Sequence, residues 1–149
     1  MLKLHDVFRC EICGNVTVLV NPGLGEKICQ EKASNDQEYF ECVLHAGQMD
    51  CCGKPMKLMT EKETDTGHEK HKPVYEKTKN GVTVKIGSVP HPMEETHHIQ
   101  WIELVSSDDR SNRKFLKSGS APEAKFECTG DVSRIRCFCN LHGLWETKI

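Results

Sequence analysis

The sequence predicts an all-β chain: a small metal-stapled unit followed by an antiparallel β-sandwich. Three observations predict it. From residue 74 onward, short runs of β-branched and aromatic residues alternate with turn residues, at spacings that suit strands and leave little helical pattern. Six of the nine cysteines fall early, at Cys10, Cys13, Cys29, Cys42, Cys51 and Cys52, and six of the eight histidines fall late, at His68, His71, His91, His97, His98 and His142. Between the two groups runs a polar stretch, residues 60–67. It reads as a linker, so the expected domains are 1–60 and 61–149.

Each element follows in order. The first unit is too small to bury much apolar surface, so it needs a staple. Phe8-Arg-Cys-Glu-Ile-Cys-Gly14 reads as a strand entering a metal knuckle, and residues 15–20 as the strand leaving it. Asn21-Pro-Gly-Leu-Gly25 is turn chemistry. Residues 26–48 are polar and weakly patterned, and read as an insertion holding one short helix. In the second unit, runs at 74–79 and 82–86 flank Asn80-Gly81, whose tolerance of positive φ predicts a type I′ hairpin. Residues 98–105, 114–116, 123–128 and 131–137 are further strands. Short strands at this spacing suit a sandwich.

Charge and hydropathy exclude some classes. A net charge of −2 provides no basic field for nucleic acid. No apolar run approaches the roughly 20 residues that a membrane helix needs. The opening Met-Leu-Lys-Leu-His-Asp does not read as an export signal, so the expected location is the cytoplasm. In that reducing compartment, clustered cysteines are metal ligands more often than disulfides.

Two constellations carry chemistry. Cys10 and Cys13 place two thiolates on one knuckle, and Cys51 and Cys52, followed by Gly53-Lys-Pro55, can supply two more. Four thiolates suit iron or zinc, and ligand type alone does not separate them. Adjacent cysteines predict a distorted tetrahedron. Cys29 or Cys42 can replace one of the pair, or both are ordinary buried thiols. The second constellation is His71, His91, His97, Cys139 and His142, in three short clusters beside turns or strand ends. Four imidazoles with one axial thiolate leave a sixth position open, which marks a catalytic site rather than a structural one. Cys137 is a rival to Cys139, since strand alternation points both to one side. His68 competes with His71, and His98 should face away from His97.

Together these residues resemble the desulfoferrodoxin family, the two-iron class of superoxide reductases. The resemblance rests on Cys10-Glu-Ile-Cys13, Cys51-Cys-Gly-Lys-Pro-Met-Lys-Leu-Met59, Glu69-Lys-His71, His91-Pro-Met-Glu-Glu95, His97-His-Ile-Gln-Trp-Ile-Glu-Leu104, Ala121-Pro-Glu-Ala124 and Cys139-Asn-Leu-His-Gly143. It implies a desulforedoxin-like domain with an iron–tetracysteine centre, then an immunoglobulin-like sandwich with the catalytic iron. It implies equatorial ligands His71, His91, His97 and His142 with Cys139 axial. Glu69 resembles the carboxylate that caps the sixth position in the oxidised state, and Lys70 the lysine that draws superoxide in. The segment between Cys13 and Cys51 is far longer than the spacer usual in that family.

The implied reaction adds one electron and two protons to superoxide, giving hydrogen peroxide. A rubredoxin-type electron donor and a homodimer are expected with it. The alternatives are a non-enzymatic iron-binding electron-transfer protein, and a zinc-ribbon interaction module.

Overall fold

In the computed structural model, residues 3–19, 44–45, 48–127 and 131–149 are described. The chain divides into two compact units, Met1–Met59 and Thr60–Ile149.

In the first unit, β1 (Val7–Arg9) lies between β2 (Val16–Val18) and β6 (Lys57–Met59), antiparallel to both. A second small sheet is the meander β3 (Leu44–His45), β4 (Gln48–Cys51) and β5 (Lys54–Pro55). Phe8, Cys10, Met49 and Met56 form a buried cluster, with Cys51 packed against it. Among the described residues this cluster is small and carries little folding energy by itself, and one of its members, Cys10, is a thiol. The expected turn at 21–25, the short helix, Cys29 and Cys42 lie outside the described residues.

The second unit opens with α1 (His68–His71), a single helical turn, and continues in seven strands. These are β7 (Pro73–Thr78), β8 (Gly81–Ile86), β9 (Ile99–Ser106), β10 (Ser111–Phe115), β11 (Glu123–Glu127), β12 (Val132–Cys139) and β13 (Gly143–Lys148). They make two antiparallel sheets, ordered β10-β9-β12-β13 and β11-β8-β7. Alternation puts Val82, Val84, Ile86, Ala124 and Phe126 of the smaller sheet against Ile102, Leu104, Ile135 and Trp145 of the larger one. Four strands facing three around one apolar core is the immunoglobulin-like sandwich that the sequence predicts.

β9 is buried on both faces, which its run Ile99-Gln-Trp-Ile-Glu-Leu-Val105 obscures. Glu103 is fully buried on the face away from the core. Its carboxylate accepts two bonds from Arg136, at 2.7 and 3.0 Å, and one from Arg113 at 2.6 Å. The Arg136 guanidinium also reaches Glu61 at 3.2 Å. Two guanidiniums thus satisfy both oxygens of this buried carboxylate with charge-assisted hydrogen bonds.

Two expectations need correction. The β7–β8 turn is Lys79-Asn80, one residue earlier than predicted, because Thr78 pairs with Gly81. Neither Asn80 nor Gly81 has positive φ, so the turn is not type I′ at that dipeptide. Glycine at 81 serves packing instead: a Cβ there would collide with the Phe126 carbonyl on β11. Nor are residues 60–67 a bare linker. Lys62 forms a parallel bridge to Trp145, its N–H donating to the Leu144 carbonyl at 3.1 Å and its carbonyl accepting from Glu146 at 2.9 Å. Charge patterning hid a strand-like pairing there.

Candidate metal centres

The first candidate centre gathers Cys10, Cys13, Cys51 and Cys52, whose sulfurs all lie within 4.8 Å of one another. Two local turns present them. In the knuckle, Gly14 N–H bonds back to the Cys10 carbonyl at 3.0 Å, and Cys10 N–H to the Asn15 carbonyl at 2.8 Å. In the β4–β5 hairpin, Cys51 pairs with Lys54, so Cys52 and Gly53 are the two loop residues. Both have positive φ, 52° and 71°, the requirement of a type I′ loop. This explains how adjacent cysteines serve one site: Cys51 ends a strand, and Cys52 turns back over it in a left-handed conformation.

The spacing suits a tetrahedral metal. Bonds of about 2.3 Å place tetrahedral sulfurs roughly 3.8 Å apart. Cys13 and Cys51 are 3.7 Å apart, and Cys51 and Cys52 are 3.9 Å apart. The expected distortion does not appear on these two edges. Backbone N–H groups of Cys13 and Ile12 aim at Cys10 and lower its pKa to about 6. Cys52, crowded by the other thiols, is pushed up to about 12, and burial raises Cys51. Cys10 is thus easier to ionise than Cys51 and Cys52, whose protons must leave as a metal binds.

The second candidate centre gathers His71, His91, His97, Cys139 and His142, their donor atoms again within 4.8 Å. Four separated pieces of chain contribute. α1 ends on His71, the β8–β9 connection carries His91 and His97, β12 ends on Cys139, and the tight β12–β13 turn holds His142. The imidazoles form a ring. Neighbouring centroids are 4.6 Å (His71–His91), 4.7 Å (His91–His97), 4.9 Å (His97–His142) and 4.6 Å (His142–His71), all edge-on. His71 and His97 stand opposite each other at 6.2 Å.

Individual atoms point inward. His91 Nε2 and His97 Nε2 are buried without a hydrogen-bond partner, which is costly unless they have another use. His71 Nε2 lies 2.9 Å from His142 Nδ1. Two nitrogens at right angles on bonds of about 2.1 Å would stand about 3.0 Å apart. Cys139 Sγ is 3.6 Å from His142 Nδ1. The distal nitrogens are tied down: His71 Nδ1–H donates to the Gly67 carbonyl at 2.7 Å, and His91 Nδ1–H to the Pro92 carbonyl at 2.5 Å. That fixes the tautomer with a lone pair on each Nε2, the form a metal needs. Burial lowers the pKa of His71, His91 and His142, His91 to about 4, and the neighbouring imidazoles push the same way. Lys62 adds to the depression at His142. The donor set of four imidazoles and one cysteine sulfur thus fits a transition metal.

The rival candidates sit elsewhere. Cys137 is fully buried; its S–H donates to the His71 carbonyl at 3.3 Å, and burial raises its pKa well above the usual thiol value. Both cysteines face the sandwich interior, as alternation predicts; Cys139 ends the strand, where its Sγ reaches His142, and Cys137 lies two residues further in. His68 is exposed beside Glu69, at 4.0 Å. His98 donates from Nδ1 to the Glu94 carbonyl at 3.1 Å. Glu69 and Lys70 are exposed on α1, next to His71 and outside the converging donors.

Three supporting residues escaped the sequence reading. Asn140 flanks His97 on both sides: its Oδ1 accepts from His98 N–H at 3.0 Å, and its Nδ2 donates to the Thr96 carbonyl at 2.9 Å. Trp145 stacks on His71 at 4.7 Å and 16°. Lys62 donates to the His142 carbonyl at 3.2 Å. Only the position of Asn140, between Cys139 and His142, hinted at a role.

Known proteins match this arrangement. The family model described as desulfoferrodoxin matches residues 63–148, and its N-terminal domain model matches residues 3–32. The latter match ends ahead of Cys51 and Cys52. A desulfoferrodoxin homolog of Methanothermobacter thermautotrophicus is 44% identical, covering 97% of this chain and 99% of that one. A desulfoferrodoxin of Nitratidesulfovibrio vulgaris is 43% identical over 99% of both chains. The crystal structure of the superoxide reductase from Treponema pallidum aligns with a TM-score of 0.60 at 37% identity, covering 68% of this chain and 84% of that one.

Proposed function

This chain belongs to the desulfoferrodoxin family, and from that membership we propose that it is a two-iron superoxide reductase. One observation carries the reading. Four imidazoles and one cysteine sulfur converge, and two of the imidazole nitrogens are buried with no other partner. That donor set leaves a coordination position for a small anion.

In this reading His71, His91, His97, His142 and Cys139 would together hold an iron. Iron there would supply the electron and an open position for superoxide. The rest falls to the chain. Cys139 would supply the electron-rich sulfur among otherwise nitrogen donors, which tunes the iron toward the reaction. Lys70, exposed beside the site, draws the anion in. Glu69 offers a carboxylate to the open position in the oxidised state. Solvent at the exposed His142 edge supplies the protons. One superoxide takes one electron and two protons and leaves as hydrogen peroxide.

Cys10, Cys13, Cys51 and Cys52 hold the second iron with no position left for substrate. A rubredoxin-type donor in the cytoplasm restores the reduced state, and the protein works as a homodimer.

The test is reconstitution with ferrous iron, metal analysis, and pulse radiolysis with hydrogen peroxide measured as product. Two irons per chain and a fast second-order reaction are expected. Iron bound at both sites with no fast reaction would leave an electron-transfer protein instead.

A further inference from the structure

We propose that Lys62 is an electrostatic positioning residue of the second centre: its ammonium steadies the His142 turn and raises the reduction potential of the iron held there. The proposal rests on the superoxide reductase reading and deepens it.

One cation touches two ligand residues by separate routes. Lys62 Nζ donates to the His142 carbonyl at 3.2 Å. The same ammonium lies 5.5 Å from the centroid of Trp145, and Trp145 stacks on His71 at 4.7 Å. Ammonium, indole and imidazole are thus layered, with the cation attracted to the indole. The backbone holds Lys62 in place through its two bonds to β13, 3.1 and 2.9 Å long.

The charge is not spent elsewhere. Both flanking carboxylates go to other partners, Glu61 to Arg136 at 3.2 Å and Glu63 to Lys148 at 2.6 Å. Among the described residues, no carboxylate lies within ion-pair distance of Lys62. A carbonyl acceptor does not cancel a positive charge, so its field reaches the site.

The sign of the effect follows. Oxidation adds one positive charge to the centre, and a fixed cation nearby opposes it. The reduced form, which reacts with superoxide, is favoured. A half-exposed cation on the order of 10 Å away shifts the reduced-to-oxidised ratio by roughly threefold. At 59 mV per tenfold for one electron, that is about 30 mV.

Three variants of the full chain test this by redox titration of the second centre's visible band, with the first centre as internal reference. Lys62→Gln keeps a donor for the His142 carbonyl and removes the charge, so its midpoint should fall by about 30 mV. Lys62→Arg keeps the charge and should stay close to the parent. Lys62→Met loses both and should fall at least as far as Lys62→Gln, with weaker iron retention. The first centre's midpoint should not move in any of them. Equal midpoints for parent, Lys62→Gln and Lys62→Arg with iron fully bound would overturn the role of Lys62 alone. Absence of a thiolate–iron band at the second site in the parent would overturn the underlying reading, and this proposal with it.

Discussion

The two candidate centres solve the same problem, holding a metal, by opposite means. The four cysteines come from two tight turns, beside a cluster that holds only a handful of the described residues. The histidines and Cys139 come from four places on a sandwich that has its own twelve-residue core. In the first, the donors are part of what holds the unit together. In the second, the scaffold is complete and the donors are mounted on it. A scaffold that does not need its metal can keep donor atoms unpaired and a coordination position open. A turn-built site spends every donor on closure.

The sharpest way to break this comparison is at the thiolates. Cys139→Ser should remove the second centre's visible band and abolish superoxide reduction, leaving the four-cysteine spectrum intact. Cys137→Ser should keep the band, because that thiol serves only the His71 carbonyl. Absorption spectra of both variants decide between them, and loss of the band in Cys137→Ser alone would reverse the ligand assignment.

Next comes the approach of substrate. Lys70→Ala should slow the second-order reaction about tenfold and flatten its salt dependence, since steering by local charge is worth roughly 10–10³ in rate. Lys72→Ala should do much less. Rates at two ionic strengths by pulse radiolysis check this, and equal small effects would remove the steering role.

Acid distinguishes the centres more gently. The pKa of His91 in the folded chain, about 4, lies below the ordinary value of 6.5, and His71 and His142 shift the same way. Below 6.5 the unfolded chain therefore binds more protons than the folded one. Stability of the metal-free second unit should fall as pH drops from about 6.5 and level off below about 4. Denaturation midpoints across that range measure it. Cys10 shifts in the same direction, and its thiolate, with a pKa of about 6, should show as an ultraviolet absorbance that Cys10→Ser removes.

The smallest effect sharpens the comparison most. Cys51→Ser should cost the first centre its metal yet change the rate of superoxide reduction by less than about twofold with a chemical reductant. A large loss would mean that the turn-built centre takes part in the chemistry itself.

Much of this was legible because metal donors announce themselves by type. Cys10, Cys13 and the histidine clusters stand out before any fold is known, and alternation in 82–86 and 123–127 marks the sandwich strands. What stayed hidden depends on pairing across distance. Asn140 gains meaning only when β12 delivers it beside His97. Lys62 looked like linker charge until its bridge to Trp145 was seen. β13 went unnoticed because Gly143-Leu-Trp-Glu-Thr-Lys148 is short and carries charge at Glu146 and Lys148, though its first four residues are buried. Gly81 suggested a turn and instead makes room for β11.

The order of donors along the chain sets a schedule. Cys10 and Cys52 bracket the first centre, and both precede His71, the first donor of the second. His71 must then wait for His142, 71 residues later. During synthesis, which adds about 5–20 residues per second, all four cysteines are made several seconds before His142 completes the imidazole set. A metal met early should therefore find sulfur first, with the imidazole donors assembled only after β12 has brought Cys139 and the turn beyond it into place.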